Sequence, residues 1–291
     1  MKIFLTGGGG FIGRHIREQL GEKYNLLAPS HSELDMTDGP VVYAYLEKHK
    51  PDIILHAATL GGNRKKQYSN IAHQNLQMFF NIIQGKQFFD RLITFGSGVE
   101  YDRRQPVADV AEDDYRRSIP VDEYAFAKYV MARFAEEVDY ITHLRFYGVY
   151  GRYEDYETRF ISNAMCKAIL GMPITMKQDV YFDYVYAPDV VRQIEFFLNS
   201  KPKHKLYNLG RGEKINLKFI AERIIALTGK NTPVTIAVPG LNKEYSCSIK
   251  RFLEENPGFI FTDFDKTLKE LIAYYTELLP NIDKSVFLTD V

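Results

Sequence analysis

The chain has 291 residues, with 37 Lys and Arg against 37 Asp and Glu, so its formal net charge is zero. At about 150 residues per domain this length suits two domains or one large one, and a hydrophobic content of 45% suffices for a packed core. A balanced charge argues against a protein that grips nucleic acid or an anionic membrane through its net field. No apolar run approaches the ~20 residues of a transmembrane helix. The start, MKIFLTGGGG, lacks the long apolar stretch of a signal peptide. Two cysteines, Cys166 and Cys247, exclude a disulfide framework and a Cys-rich zinc site. A cytoplasmic protein with neither nucleic acid nor membrane as partner is expected.

Ile3-Phe4-Leu5-Thr6 reads as a buried strand. The next helix, from about Gly10, puts Ile12, Ile16 and Leu20 on one face and stops at Gly21. Residues 24–28 form a second strand, ended by Pro29. A helix after Asp38-Gly39-Pro40 runs through His49, and residues 52–58 (DIILHAA) are another buried strand. A helix over 75–84 ends at Gly85, and a strand over 91–95 runs into Gly96-Ser97-Gly98. The charged stretch 102–117 reads as a surface loop. After Pro120 a long helix carries Ala127, Val130, Met131, Phe134 and Val138 as its apolar stripe, and Ile141–Phe146 is a further strand. Strand and helix alternating at this spacing give right-handed βαβ units, hence a parallel sheet with helices on both faces. Beyond about residue 150 the pattern changes. Helices are expected over 159–170, from 187 through Leu198, over 216–227, and near 248–255 and 264–279, with one Tyr-rich strand, Tyr181–Tyr186.

Three motifs carry chemistry. Thr6-Gly7-Gly8-Gly9-Gly10-Phe11-Ile12-Gly13 joins the first strand to the first helix. It reads as TGxxGxxG through Gly7, Gly10 and Gly13, or as GxGxxG through Gly8, Gly10 and Gly13. Glycines placed there let the backbone turn tightly and approach a pyrophosphate, which rests on the helix N-terminus. Chance alone also produces such patterns, so the weight lies in its position between strand and helix. Tyr124 and Lys128 open the long helix, four residues apart and so on one face. An ammonium beside a phenol lowers the Tyr pKa, which makes an acid/base near neutral pH; an exposed helix pair is the plain alternative. Ser97 stands between two glycines at the carboxyl end of a strand, where open parallel sheets bind ligands. Its hydroxyl suits a carbonyl oxygen, or simply a turn.

These motifs, with His56-Ala57-Ala58, Tyr101 four residues after Ser97, and residues 144–151 (LRFYGVYG), 182–189 (FDYVYAPD) and 207–210 (YNLG), stand in the order and spacing of extended short-chain dehydrogenases/reductases. The chain resembles that family over nearly its whole length. Within it, the chain is similar to the NAD-dependent epimerase/dehydratase group acting on nucleotide sugars. The resemblance implies an α/β fold: a doubly wound, Rossmann-type parallel sheet with a smaller, mostly helical substrate-binding domain. Residues 1–152 and about 177–206 are expected in the dinucleotide-binding domain, and about 153–176 and 207–291 in the other. Catalysis is implied for Ser97, Tyr124 and Lys128. Cofactor contacts are implied for Gly7, Gly10, Phe11, Ile12, Gly13, Arg14, His31, Asp35, Met36, His56, Ala57, Ala58 and Lys128. No metal is expected, because no partner stands at ligand spacing from His56.

Departures from the family pattern narrow the reaction. The 4,6-dehydratases carry an Asp and a Glu directly after the catalytic Thr; here those positions are Gly98 and Val99. The decarboxylases' Glu also falls on Val99. Keto-sugar reduction and C4 epimerisation need only Ser, Tyr, Lys and a nicotinamide. Residues 33–38 (ELDMTD) and 50–54 (KPDII) resemble 4-keto-sugar reductases of the dTDP-4-dehydrorhamnose reductase and GDP-fucose synthase type. Gly61-Gly62 fits the latter, but its epimerising Cys falls on Val99 and its His on or near Arg159, so a coupled 3,5-epimerisation is not expected. The expected function is reduction of a nucleotide-linked 4-keto sugar. A C4 epimerase and a non-catalytic NADP(H)-binding protein are the alternatives. The family's LRxxN Asn is Gly148 here, and the Arg before Asp183 is Phe182. Gly61, Gly62, Arg152, Arg159, Lys177 and Arg211 are the substrate-binding candidates that remain. Residues 28–32 (APSHS) hold no carboxylate before Glu33, and Arg14 could meet a 2′-phosphate, so NADP(H) is favoured over NAD(H). The resemblance also implies a homodimer through helices 75–84 and 124–138. Leu76, Met78, Phe79, Phe80 and Ile83 make the first of these apolar nearly all round.

Overall fold

The computed structural model describes residues 1–61 and 68–288. The chain begins β1 (Lys2–Thr6), α1 (Phe11–Leu20), β2 (Asn25–Leu27), α2 (Gly39–His49), β3 (Ile53–His56), α3 (Ile71–Gln84), β4 (Arg91–Ser97), β5 (Val107–Val110). It continues through α4 (Glu123–Glu137), β6 (Ile141–Phe146), β7 (Gly148–Tyr150), α5 (Phe160–Ile169), β8 (Ile174–Asp179), β9 (Tyr181–Tyr186) and α6 (Ala187–Asn199). Last come β10 (Leu206–Leu209), β11 (Lys214–Asn216), α7 (Leu217–Thr228), β12 (Val234–Leu241), β13 (Tyr245–Cys247), α8 (Lys250–Glu255) and α9 (Phe264–Leu278).

The main sheet is wholly parallel, in the order β10-β6-β4-β3-β1-β2. Successive side chains of a strand face opposite layers. Ile3 and Leu5 pack with Ile16 and Leu20 of α1 and Val190, Ile194 and Phe197 of α6. Phe4 packs on the other side with Leu46 of α2, Met78, Phe79 and Ile82 of α3, and Met131 of α4. Burial on both faces explains why these strands read as continuous apolar runs. Helix α3 is apolar on most sides because it is wedged against both α2 and α4, with Phe80 left 36% exposed. Among the described residues no helix is long and apolar enough to cross a membrane.

The second part contains more strand than its sequence suggested. One sheet runs β11-β9-β13-β5, with β7 also paired to β9, and a two-stranded sheet joins β12 to β8. Helices α5, α7 and α9 pack on these strands around a core of their own that includes Met165, Ile224 and Leu271. The stretch 102–117, expected as a loop, contributes β5 and a 3-10 turn, Glu112–Arg117. Residues 207–209, expected in the substrate part, belong to β10 at the edge of the main sheet, and Phe252 of α8 joins the core beneath it. A run of only four buried residues carries no signal of the strand it will pair with.

Arg91 fastens α6 to this frame. Its guanidinium donates to the carbonyls of Phe197 (3.1 Å), Leu198 (2.6 Å) and Ser200 (2.8 Å), at the negative end of the helix. Arg91→Ala should cost about 1–3 kcal/mol in urea denaturation. Turnover should be preserved, because Arg91 and Ser97 occupy opposite ends of β4.

Candidate active site

The Gly-rich turn has no room for side chains where it must be tight. Gly7 adopts φ +70°, and a Cβ there would lie 2.6 Å from the Ala58 nitrogen; a Cβ on Gly13 would overlap the Gly7 carbonyl oxygen. Gly9 instead faces open space. Gly10 caps α1 without any side-chain hydrogen bond, so the first amides of the helix have no protein cap. This is a cradle that a dinucleotide pyrophosphate fits. Arg14 folds back beside it, its Nε donating to the Gly9 carbonyl at 3.0 Å and its guanidinium 5.3 Å from the Tyr153 ring centre. The stem of Arg17, which the motif did not single out, lies against Gly8 and near Ala28.

The neighbouring strand ends are tied together. Thr6 Oγ1 accepts from the Ala58 amide (3.0 Å) and pairs with His56 Nδ1 (2.9 Å). His56 is buried, and burial with the nearby Lys128 charge lowers its pKa to about 3. It braces the turn from beneath as a neutral ring. Ala57 and Ala58 are half-buried above it. Asn75 of α3 holds the next residues, accepting from Leu60 N (2.9 Å) and Thr59 Oγ1 (3.0 Å) and donating to Leu60 O. Gly61 follows at φ +95°, pressed close to the Tyr124 ring.

Ser97 ends β4 and caps a 3-10 turn, Gly98–Tyr101. Its amide donates to Glu100 Oε1 at 2.8 Å, and its Oγ accepts from the Val99 amide at 3.4 Å. Glu100 is fully buried and also meets His143 Nε2 (2.9 Å) and Arg145 Nε (2.5 Å). Burial alone would raise its pKa; the His143 and Arg145 contacts outweigh burial and hold it below the usual value.

Asp122 caps α4, accepting from the Ala125 amide at 2.9 Å, and so starts the helix in the phase that turns Lys128 inward. Lys128 is buried, and its Nζ donates to the Phe95 carbonyl at 2.7 Å. It lies 5.8 Å from the ring centre of half-buried Tyr124. Burial lowers Lys128 to about 8 against the opposing pull of Glu100. Tyr124 is pushed up to about 12 by burial and by Glu100, with Arg159 and Thr59 opposing. The expected lowering of the phenol by Lys128 is therefore absent in this arrangement: desolvation dominates, and the amine is engaged by Phe95. The phenol keeps its proton at neutral pH and is a donor.

The remaining candidates scatter. His31 and Asp35 lie on the exposed loop after β2, where Asp35 accepts from the Thr37 amide (2.8 Å); Met36 is buried. Phe11 and Ile12 flank the glycines at the start of α1. Arg152 pairs with Glu18, and Arg211 with Glu213 and the Thr262 carbonyl. Lys177 is exposed on β8 in the two-stranded sheet. Of these cations, Arg159 is placed to oppose the rise in the Tyr124 pKa. Gly62 lies outside the described residues. Among the described residues no group of His, Cys, Asp and Glu is placed to hold a metal.

The family model described as "NAD dependent epimerase/dehydratase family" matches residues 3–210. The chain belongs to that family. It is 28% identical over 256 residues to a GDP-L-colitose synthase of Yersinia pseudotuberculosis, covering 79% of this chain and 82% of that one. Its fold matches a GDP-L-fucose synthetase of Naegleria fowleri bound to NADP, with TM-score 0.84 and 18% identity over 97% of this chain and 94% of that one. It also matches a GDP-mannoheptose C4 reductase of Campylobacter jejuni with NADP bound, with TM-score 0.80 and 16% identity over 94% and 98% of the two chains.

The buried lysine predicts a pH signature. Its folded pKa, about 8, lies below the 10.5 of an ordinary Lys. Below pH 8 both folded and unfolded states hold the proton, and the folded state carries the whole cost of a buried charge. Between these values the folded state sheds the proton first, so stability recovers as pH rises. Lys128→Met should stabilise the protein by up to about 3 kcal/mol at pH 7, less the lost bond to Phe95, and the gain should shrink towards pH 10.5. Thermal melts of both proteins across that range check it.

Proposed function

We propose that the protein reduces the 4-keto group of a nucleotide-linked sugar with NADPH. The observation that carries this reading is the Tyr124 phenol beside Lys128, which is anchored on the Phe95 carbonyl near the Ser97 end of β4, in a family member whose Gly-rich turn fits a dinucleotide. Reduction requires a proton donor, and the acids for water elimination are absent at Gly98 and Val99. The relatives named above are GDP-sugar synthases and a GDP-sugar C4 reductase, which supports a GDP-linked substrate.

The chemistry a bound nicotinamide supplies here is hydride donation to the carbonyl carbon. Ser97 and Tyr124 hydroxyls bind the carbonyl oxygen. As negative charge grows on that oxygen, the Tyr124 O–H bond breaks and its proton forms the new alcohol O–H. The Lys128 ammonium, 5.8 Å from the ring centre, stabilises the phenolate left behind. Half-buried Tyr124 recovers its proton from solvent.

The cofactor preference rests on the loop after β2. Glu33, the first carboxylate there, turns back to accept from Ser30 N (2.7 Å) and Ser30 Oγ (2.8 Å). Its Oε2 is thereby taken up within the loop, while Arg14 and Arg17 flank the glycines and could meet a 2′-phosphate.

Two measurements test the reading. NADPH oxidation should be seen with at least one member of a panel of nucleotide-linked 4-keto sugars, and Tyr124→Phe should slow it by about 10²–10⁴-fold with little change in NADPH affinity. A wild-type protein that binds NADPH but oxidises it with none of the panel would overturn the assignment. In a fluorescence titration NADPH should bind more tightly than NADH; equal or tighter NADH binding would reverse the preference.

A further inference from the structure

We propose that Tyr153 is a positioning residue for a phosphate of the bound dinucleotide: its ring supports the Arg14 guanidinium at the start of α1, and its hydroxyl holds Glu18 away from that cation. The proposal rests on the dinucleotide reading of the Gly-rich turn and not on any sugar substrate.

Tyr153 follows β7 on the segment that leads to α5. Its backbone is left-handed, with φ +68°, a strained conformation for a bulky side chain that asks for a compensating contact. The contacts converge on the ring. The Arg14 and Arg152 guanidinium carbons each lie 5.3 Å from its centre, within cation–π range. The buried His15 ring lies 5.4 Å away, and the Tyr274 ring of α9 meets it edge-on at 6.0 Å. His15 Nε2 donates to the Arg152 carbonyl at 2.9 Å, which ties the segment to α1.

Arg14 is the fourth residue of α1. Its side chain runs back towards the helix N-terminus, the usual direction on a helix, and its Nε donates to the Gly9 carbonyl at 3.0 Å. The guanidinium therefore stands beside the uncapped amides of the Gly-rich turn, where a helix end favours an anion. A carboxylate one turn along a helix commonly pairs with such a cation, and Glu18 stands at that spacing. Here Glu18 is already taken: the Tyr153 hydroxyl donates to one oxygen, and Arg152 Nη2 donates to the other at 2.6 Å. Among the described residues no carboxylate pairs with Arg14. Backed by an aromatic face and kept from its nearest counter-ion, Arg14 retains its charge for a phosphate in the cradle.

Tyr153→Asn removes the ring and the hydroxyl but suits the left-handed backbone, so the fold should be retained. NADPH affinity, read by fluorescence titration, should fall about tenfold. In an Arg14→Met background the same substitution should change it by less than about twofold, because nothing remains to be supported. Tyr153→Phe keeps the ring, and Arg152 still holds Glu18, so its affinity should stay within about threefold of wild type. A parallel NADH titration identifies the phosphate: a loss confined to NADPH assigns the 2′-phosphate, and equal losses with both assign the pyrophosphate. Undiminished NADPH affinity in Tyr153→Asn, or a loss of about tenfold that persists in the Arg14→Met background, would overturn the role. Cofactor-free protein supplies a second readout. The Arg14 Nε–H resonance, identified by its disappearance in Arg14→Met, should move in Tyr153→Asn, and an unmoved resonance overturns the proposal. Wild-type protein that binds NADPH but reduces no keto-sugar overturns the proposed function alone, whereas wild-type protein that binds neither dinucleotide overturns both.

Discussion

A carboxylate sealed from water must be compensated on every side, or it protonates or unfolds its surroundings. Glu100 is compensated by the Ser97 amide, His143 and Arg145, and each partner fixes something different. The amide sets the turn that presents Ser97. His143 and Arg145 are two apart on β6 and share a face, so the pair locks the β4–β6 register. Thr94 steadies the His143 ring at 2.7 Å. Arg145 reaches on to the Glu112 carbonyl (2.8 Å) and lies 4.1 Å from the Tyr115 ring centre, which draws the segment around Glu112–Arg117 onto the sheet. Removing one member of such a buried cluster typically costs about 3–5 kcal/mol. The cluster also leaves no room for a side chain at Gly96, where a Cβ would overlap both His143 and Glu100.

The same charge reaches the chemistry. Glu100 opposes the loss of the Lys128 proton and the ionisation of Tyr124. One buried anion therefore favours the protonated form of both groups and places the serine beside them. The carboxyl ends of β1, β3 and β4 gather around this point by hydrogen bonds between side chains and backbone: Thr6 with His56 and Ala58, and Asn75 with the residues before Gly61.

Much of this frame was readable in the chain. β1 and β3 are apolar runs because both their faces are covered, β4 and β6 hold apolar residues between buried polar ones, and Asp38 and Pro120 mark where α2 and α4 approach their starts. Ser97, Tyr124 and Lys128 stand out as candidates only when their place on those elements is joined to the family resemblance. Three things could not be read from the chain. Strand partners beyond residue 150 are long-range facts, so β10, β12 and β13 had no local signature of their sheets. Glu100 and Tyr153 are single residues without a motif, and their meaning comes from what surrounds them. The direction of the Tyr124 shift depends on desolvation, a property of packing that spacing along a helix does not report. Likewise Arg152 and Arg211 look available in sequence, yet each is paired in the fold.

Gly98 has a bearing on how this site could change its chemistry. The 4,6-dehydratase pattern from which this chain departs has an acid at this position, and here the space above it is filled by a phenol delivered from another sheet. A mutation that introduced Asp at 98 would meet Tyr245 and Tyr147 before it met any substrate. Both the Tyr245 and the Tyr147 side chains would have to shift for an acid at 98 to have somewhere to stand. Two residues 147 positions apart in the chain thus constrain each other, because a side chain at 98 needs the space that Tyr245 fills.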